Sequence, residues 1–166
     1  MTCPACGTNM ADAERCGVEV RLCPACGACW CARDVVQAMI DAVERRFDTK
    51  TLESLRQECA ERHRTGLAKG PPTTIEYLKC PDCGTQMNRK AFAPQTGIVA
   101  DACVPHGLFL EQGQLEAMRD FVARGGELLV LDATNRQLTD ALADLGRKVK
   151  HLDQARAQAA SMFFVT

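Results

Sequence analysis

The feature that most constrains this chain is a spacing: C-P-A-C at residues 3–6 and 23–26, C-P-D-C at 80–83, and C-V-P-H at 103–106. Two donors three positions apart share one tight turn, and two such turns together supply the four ligands of a closed tetrahedral metal shell. The stretches also repeat. CPACGTNM at 3–10 matches CPDCGTQM at 80–87, and GVEVRLC at 17–23 matches GIVADAC at 97–103, so the same unit is read twice. WCARDVVQAM (30–39) then aligns with FLEQGQLEAM (109–118) once one residue is allowed to be missing between His106 and Phe109, and His106 falls on Cys26.

His106 therefore occupies a ligand position. Zinc accepts both four-cysteine and three-cysteine-one-histidine shells, because thiolate sulfur and imidazole nitrogen are both good donors to it. The expected sites are Cys3, Cys6, Cys23 and Cys26 for one zinc ion, and Cys80, Cys83, Cys103 and His106 for a second. In C-P-x-C-G the proline restricts the turn and the glycine admits positive φ, so the chain folds back and its amides can point at the thiolates. Alternating runs between the pairs, such as VEVRL, read as hairpin strands, which makes each unit a zinc ribbon or knuckle. The competing reading is that these are reduced core cysteines.

Aromatic residues make up only 5% of the 166-residue chain, and the two cysteine-rich segments stand far apart, so several small modules are expected. Modules of roughly 40 residues need a staple, because conformational entropy nearly cancels their apolar burial. MTCPACGTNM has no basic start followed by an apolar run, and no stretch approaches a membrane span, so the expected location is cytoplasmic. In that reducing compartment the paired cysteines, from an odd total of 11, read as metal ligands in preference to disulfide halves.

YLKCPDCGTQMNRKAF followed by GIVADACVPHGLFLEQGQLEAM resembles the bacterial zinc-finger family named after the zinc ribbon of transcription factor IIB. The resemblance runs from residue 77 to about 126, and residues 3 to about 40 look like a more divergent copy. The family pattern at the second ligand pair is close to C-x-x-H-G-x-W-F-D-x-x-E-L. Phe109, Leu110, Glu111 and Gln114 stand here in place of its Trp, Phe, Asp and Glu. The resemblance implies zinc binding. It does not imply promoter recognition, since the family name records ribbon similarity.

Between the two units, residues 33–64 show helical periodicity through Val36, Met39, Ile40, Val43 and Phe47, then Leu52, Leu55 and Cys59 after a break at Asp48-Thr49, which predicts two helices. GLAKGPP at 66–72 reads as a linker. Cys16, Cys29, Cys31 and Cys59 are left over. Cys59 and His63 have the i, i+4 spacing of a third ligand pair, but Cys29 and Cys31 stand where that zinc-finger family usually has apolar residues, and Cys59 continues the apolar face of Leu52 and Leu55. His151 reads as a solvated helix residue. Beyond Gly125-Gly126, Leu131, Leu138, Leu145 and Leu152 recur every seven residues, with Leu128, Asn135, Leu142 and Val149 three positions earlier. That is the d and a pattern of a parallel two-stranded coiled coil, with Lys148 at g placed to meet Asp153 at e of a second copy. Arg156 at an a position, Gly146, and like charge between Glu127 and Asp132 oppose it, and the other reading is an amphipathic helix packed on its own ribbon.

The expected fold is thus a set of small α+β metal-stabilised modules: zinc ribbon 1 (1–40), a helical segment and linker (41–74), zinc ribbon 2 (75–126), and a C-terminal coiled-coil-like helix (127–166). The formal net charge of −1 counts every cysteine as neutral. Two zinc ions on seven thiolates would bring it to about −4. Phosphate binding draws its affinity from excess Lys and Arg, so a non-enzymatic scaffold or adaptor with an unknown protein partner is favoured over a nucleic-acid-binding regulator. Clusters such as Arg45-Arg46, Arg89-Lys90 and Arg147-Lys148 are interleaved with acids, as on solvated faces. Shells of four protein ligands leave no open position for a catalytic water, so an enzyme is not expected. A homodimer through residues 127–160 is the expected assembly.

Overall fold

The computed structural model describes residues 1–69 and 77–162. The chain divides into two compact units, 1–129 and 130–166. The first is mixed α+β and is built on one six-stranded antiparallel sheet. Its strands are β1 (Ala11–Arg15), β2 (Val18–Leu22), β3 (Cys29–Cys31), β4 (Asn88–Phe92), β5 (Ile98–Cys103) and β6 (Gly107–Leu110). Their order across the sheet is β1-β2-β3-β6-β5-β4, so the sheet reads the same from either edge. Two hairpins, paired Ala11↔Leu22 to Arg15↔Val18 and Asn88↔Ala102 to Phe92↔Ile98, flank a central seam where Trp30 faces Phe109. The described residues of segments 1–40, 41–74 and 75–126 lie within this one unit.

Strand alternation sorts the side chains to two faces. On one face Val20, Cys29, Cys31, Ile98, Ala100 and Leu110 form a cluster with residues of two helices, α1 (Arg33–Ala42) and α3 (Gln114–Ala123). Each helix offers the pair that its periodicity predicts, Val36 with Met39 and Leu115 with Met118. The other face carries Cys3, Met10, Cys23, Trp30, Cys80, Met87, Cys103 and Phe109 in a second cluster. The cysteine turns are therefore part of a core and are not appended to one.

α2 (Thr49–Lys69) begins at the expected break, where the Thr51 amide donates to Asp48 Oδ1 at 2.7 Å. But α1 ends earlier than expected: Val43 is already extended, so Val43 and Phe47 lie in the connection between the helices and not on the first helix. Leu55 and Cys59 on α2 are buried, and Arg62 donates to the Thr96 carbonyl at 3.1 Å in the β4–β5 connection. Arg124 donates to both Glu58 oxygens at 2.9 and 2.6 Å, tying the end of α3 to α2. Contrary to the linker reading, α2 continues through Gly66 to Lys69, because a glycine costs a helix only about 1 kcal/mol. Residues 70–72 of the expected linker lie outside the described residues.

The fourth helix, α4 (Gly126–Met162), is 37 residues long. Its first turn belongs to the first unit, where Leu129 is buried and Arg45 donates to both oxygens of Glu127 at 2.8 and 2.9 Å. The described residues of the second unit are the remainder of this helix, and Leu131, Leu138, Leu142, Leu145 and Leu152 of the heptad pattern are exposed along it. Among the described residues no helix is long and apolar enough to cross a membrane.

Candidate metal centres

The fold brings both expected ligand sets together. In each of the groups Cys3, Cys6, Cys23, Cys26 and Cys80, Cys83, Cys103, His106 the donor atoms all lie within 4.8 Å of one another, so each can hold a metal ion. Turn geometry explains the convergence. The Cys3 amide donates to the Thr8 carbonyl at 2.8 Å and the Gly7 amide to the Cys3 carbonyl at 2.9 Å; the turns at Cys23 and Cys80 have the same pair of bonds. Gly7, Gly27 and Gly84 close these turns with φ near +70° to +75°, a region costly for other residues. The fourth turn is looser: His106 donates its amide to the Cys103 carbonyl at 3.2 Å.

The spacing of the donors fits a tetrahedral ion. Metal–sulfur bonds of about 2.3 Å place two sulfurs of a tetrahedron about 3.8 Å apart, and a sulfur and an imidazole nitrogen about 3.6 Å apart. Here Cys3 and Cys26 are separated by 3.7 Å, Cys6 and Cys23 by 3.4 Å, and Cys83 and Cys103 by 3.8 Å. His106 turns Nδ1 inward, 3.7 Å from Cys80 Sγ and 3.3 Å from Cys103 Sγ. All eleven cysteines are free thiols, so no disulfide competes for these ligands.

The thiols divide into two kinds. Cys6 and Cys83 are exposed, and hydrogen bonding with the side chain and backbone of Thr8 and of Thr85 lowers them to about 6. The Ala28 amide pulls Cys26 down, but burial and the neighbouring thiols of Cys23, Cys3 and Cys6 outweigh it and push Cys26 up to about 12. Burial, then the Cys80 and Cys83 thiols, raise Cys103 to about 11. Four crowded sulfurs cannot all ionise without a cation between them, and a divalent ion reverses that balance. Thr8 and Thr85 were missed in the sequence reading. Their signal was present, since threonine follows Cys-Gly in both CPACGTNM and CPDCGTQM.

Each centre is braced by the other half of the sheet. A Cβ on Gly107 would sit 2.3 Å from the Cys31 carbonyl oxygen, so only glycine permits this approach, and one on Gly27 would meet Gln112 at 2.8 Å. Trp30, buried next to the first set of ligands, donates Nε1 to Oδ2 of Asp82 at 3.1 Å inside the Cys80–Cys83 turn. At the corresponding aligned positions, Phe109 and Ala5 line one groove with no such polar bond to make.

Among the described residues no third group of three or more ligands forms. Cys29 and Cys31 pack in the cluster under α1 and α3, Cys16 rests against it, and Cys59 is buried on α2 while His63 is exposed. Two open grooves flank the centres. One of about 690 Å³ is lined by Trp30, Asp82, His106, Asp12, Glu19 and Arg21; the other, of about 480 Å³, by Phe109, Cys26, Arg89, Asp101 and Glu111. Asp101 is buried, its Oδ1 has no hydrogen-bond partner among the described residues, and burial raises its carboxyl. In comparisons with known proteins, no family model, curated protein or solved structure matches the chain.

Proposed function

We propose that this protein is a zinc-binding, non-enzymatic scaffold or adaptor that acts through protein–protein interaction, its two centres being zinc ribbons related to the bacterial family named after the transcription factor IIB ribbon. The observation that carries the reading is the closure of both shells. Seven thiols and one imidazole converge in two sets of four at distances that suit a tetrahedral ion, and four such donors are what one structural zinc ion takes. Bound there, zinc supplies a structural cross-link, and its binding energy is folding energy for the turns that hold it. Cys3, Cys6, Cys23 and Cys26 hold one ion; Cys80, Cys83, Cys103 and His106 hold the other. No ligand position is left for a reacting water, which is why an adaptor is favoured over a hydrolase.

Charge favours a protein partner over nucleic acid. Carboxylates outnumber guanidinium groups in the grooves beside both centres: Asp12, Glu14, Glu19 and Asp82 against Arg21, and Asp101 and Glu111 against Arg89. The zinc-loaded charge of about −4 acts in the same direction. Elemental analysis of freshly purified protein is expected to find two zinc ions per chain. Titration of DNA and RNA across salt concentrations is expected to show weak binding at physiological salt. One zinc ion per chain would remove a centre from the proposal, and a tight, steeply salt-dependent nucleic-acid complex would overturn the adaptor reading.

A further inference from the structure

We propose that α4 pairs with α4 of a second copy of this chain as a parallel, in-register, two-stranded coiled coil spanning residues 128–152. Leu131, Leu138, Leu142, Leu145, Val149 and Leu152 are 55–68% exposed along one helix. Residues at a and d of a heptad share one stripe, so these side chains form an apolar seam about 38 Å long that starts at Leu128 and is interrupted only at Asn135. A seam of that length on a single helix is the half-interface of a coiled coil.

Asn135 selects the occupant and its direction. It is the single polar residue at a or d between Leu128 and Leu152. In an antiparallel pair, a layers face d layers, so each Asn135 amide would be buried against leucine with its hydrogen bonds unmade. In a parallel pair in register, Asn135 faces Asn135 of the second copy and the two amides bond each other. A second copy is therefore the partner that matches the seam at its polar position. Leucine at every d from Leu131 to Leu152, with β-branched Val149 and the single Asn135 at a, favours two strands, while Leu128 and Leu142 at the other a positions are neutral to that choice.

Charge along the flanks fits the same register. Lys148 at g meets Asp153 at e of the second copy. The like charge between Glu127 and Asp132 of the second copy was an objection from sequence. In the fold Glu127 is held by Arg45 through two bonds of 2.8 and 2.9 Å, which offsets its charge where the seam begins. Arg156 occupies the next a position and closes the seam after Leu152. The resulting assembly carries four metal centres, two from each chain.

Analytical ultracentrifugation of the intact, zinc-loaded chain at tens of micromolar is expected to give the mass of a dimer. The double variant Leu138→Asp/Leu145→Asp is expected to be monomeric with unchanged zinc content, which separates loss of pairing from loss of folding. Asn135→Asp and Asn135→Lys are each expected to weaken self-association at least tenfold, and their equimolar mixture to recover a heterodimer. A monomeric intact chain, a trimer or larger assembly, or a dimer that survives Leu138→Asp/Leu145→Asp would overturn the proposal. So would a mixture of the two Asn135 variants that associates no better than either alone, since position 135 would then not face itself.

Discussion

Thr8 and Thr85 show how much of a metal site rests on residues that do not touch the ion. Each places a hydroxyl and an amide on the exposed cysteine of its turn, and these bonds favour the thiolate that a metal requires. Thr8→Val keeps the shape and the amide but removes the hydroxyl. It is expected to weaken metal binding at the first centre about tenfold, and Thr85→Val to do the same at the second, as read by competition with a chromophoric chelator. Unchanged affinity in both would mean that the amides alone suffice. A different residue-scale effect follows from the Arg124 side chain, whose bonds lower Glu58 to about 2. A carboxylate held below its unfolded value adds stability that is fully present above about pH 4.5 and is lost as pH falls through about 2. The Glu58 side chain is 42% exposed, so screening leaves about 0.5–1 kcal/mol. Glu58→Gln is expected to cost that amount in chemical unfolding between pH 6 and 8, with the difference shrinking below pH 4.5. A cost that stays constant into acid would assign the effect to packing. The ligands themselves were legible because Cys-x-x-Cys and Cys-x-x-His encode a turn locally. Which ring nitrogen of His106 faces the shell was not, since that depends on the chain returning from β5.

Elements with strong local signals were equally readable. VEVRL forms β2, α2 starts at Thr49 beside Asp48, and Val36 and Met39 are buried as their spacing requires. The pairing of β3 with β6 had no such signal. Cys29–Cys31 is three residues long, and nothing local specifies which edge a short strand will join. Gly66 misled for the opposite reason: its local cost is real, but the buried Leu55 and Cys59 and the Arg62 bond to Thr96 anchor the helix that runs through it. In α4 the helix passes through Gly146, where an added Cβ would meet nothing within 4 Å. Gly146→Ala is therefore free of clash and removes the backbone entropy cost of glycine. It is expected to stabilise the helix by about 1 kcal/mol, seen as a higher melting midpoint in the helical circular dichroism of the intact chain. No gain would mean that the helix is already interrupted at that point in solution.

At the scale of the whole first unit, the arrangement of the sheet changes what losing a centre should do. Independent ribbons would fail one at a time, each leaving the other loaded. Here ligands from both centres, Cys3 and Cys23 with Cys80 and Cys103, share one cluster with Trp30 and Phe109, and the β3–β6 seam crosses between the halves. Trp30 is the sole tryptophan, so its emission reports this junction directly. It belongs to the same half as the first centre, yet its indole is bonded to Asp82 between two ligands of the second. Cys103→Ser removes one thiolate from a closed shell, and structural zinc sites lose most of their folding energy with a ligand. The expected result is a fall in bound zinc to well below one ion per chain, with a red-shifted Trp30 emission as water reaches the cluster. His106→Cys keeps four donors and is expected to retain both ions and the parent emission, which guards against reading any substitution near the site as destructive. If Cys103→Ser instead holds one full ion and leaves the Trp30 spectrum unchanged, the two halves fold independently and the shared cluster contributes little cooperativity.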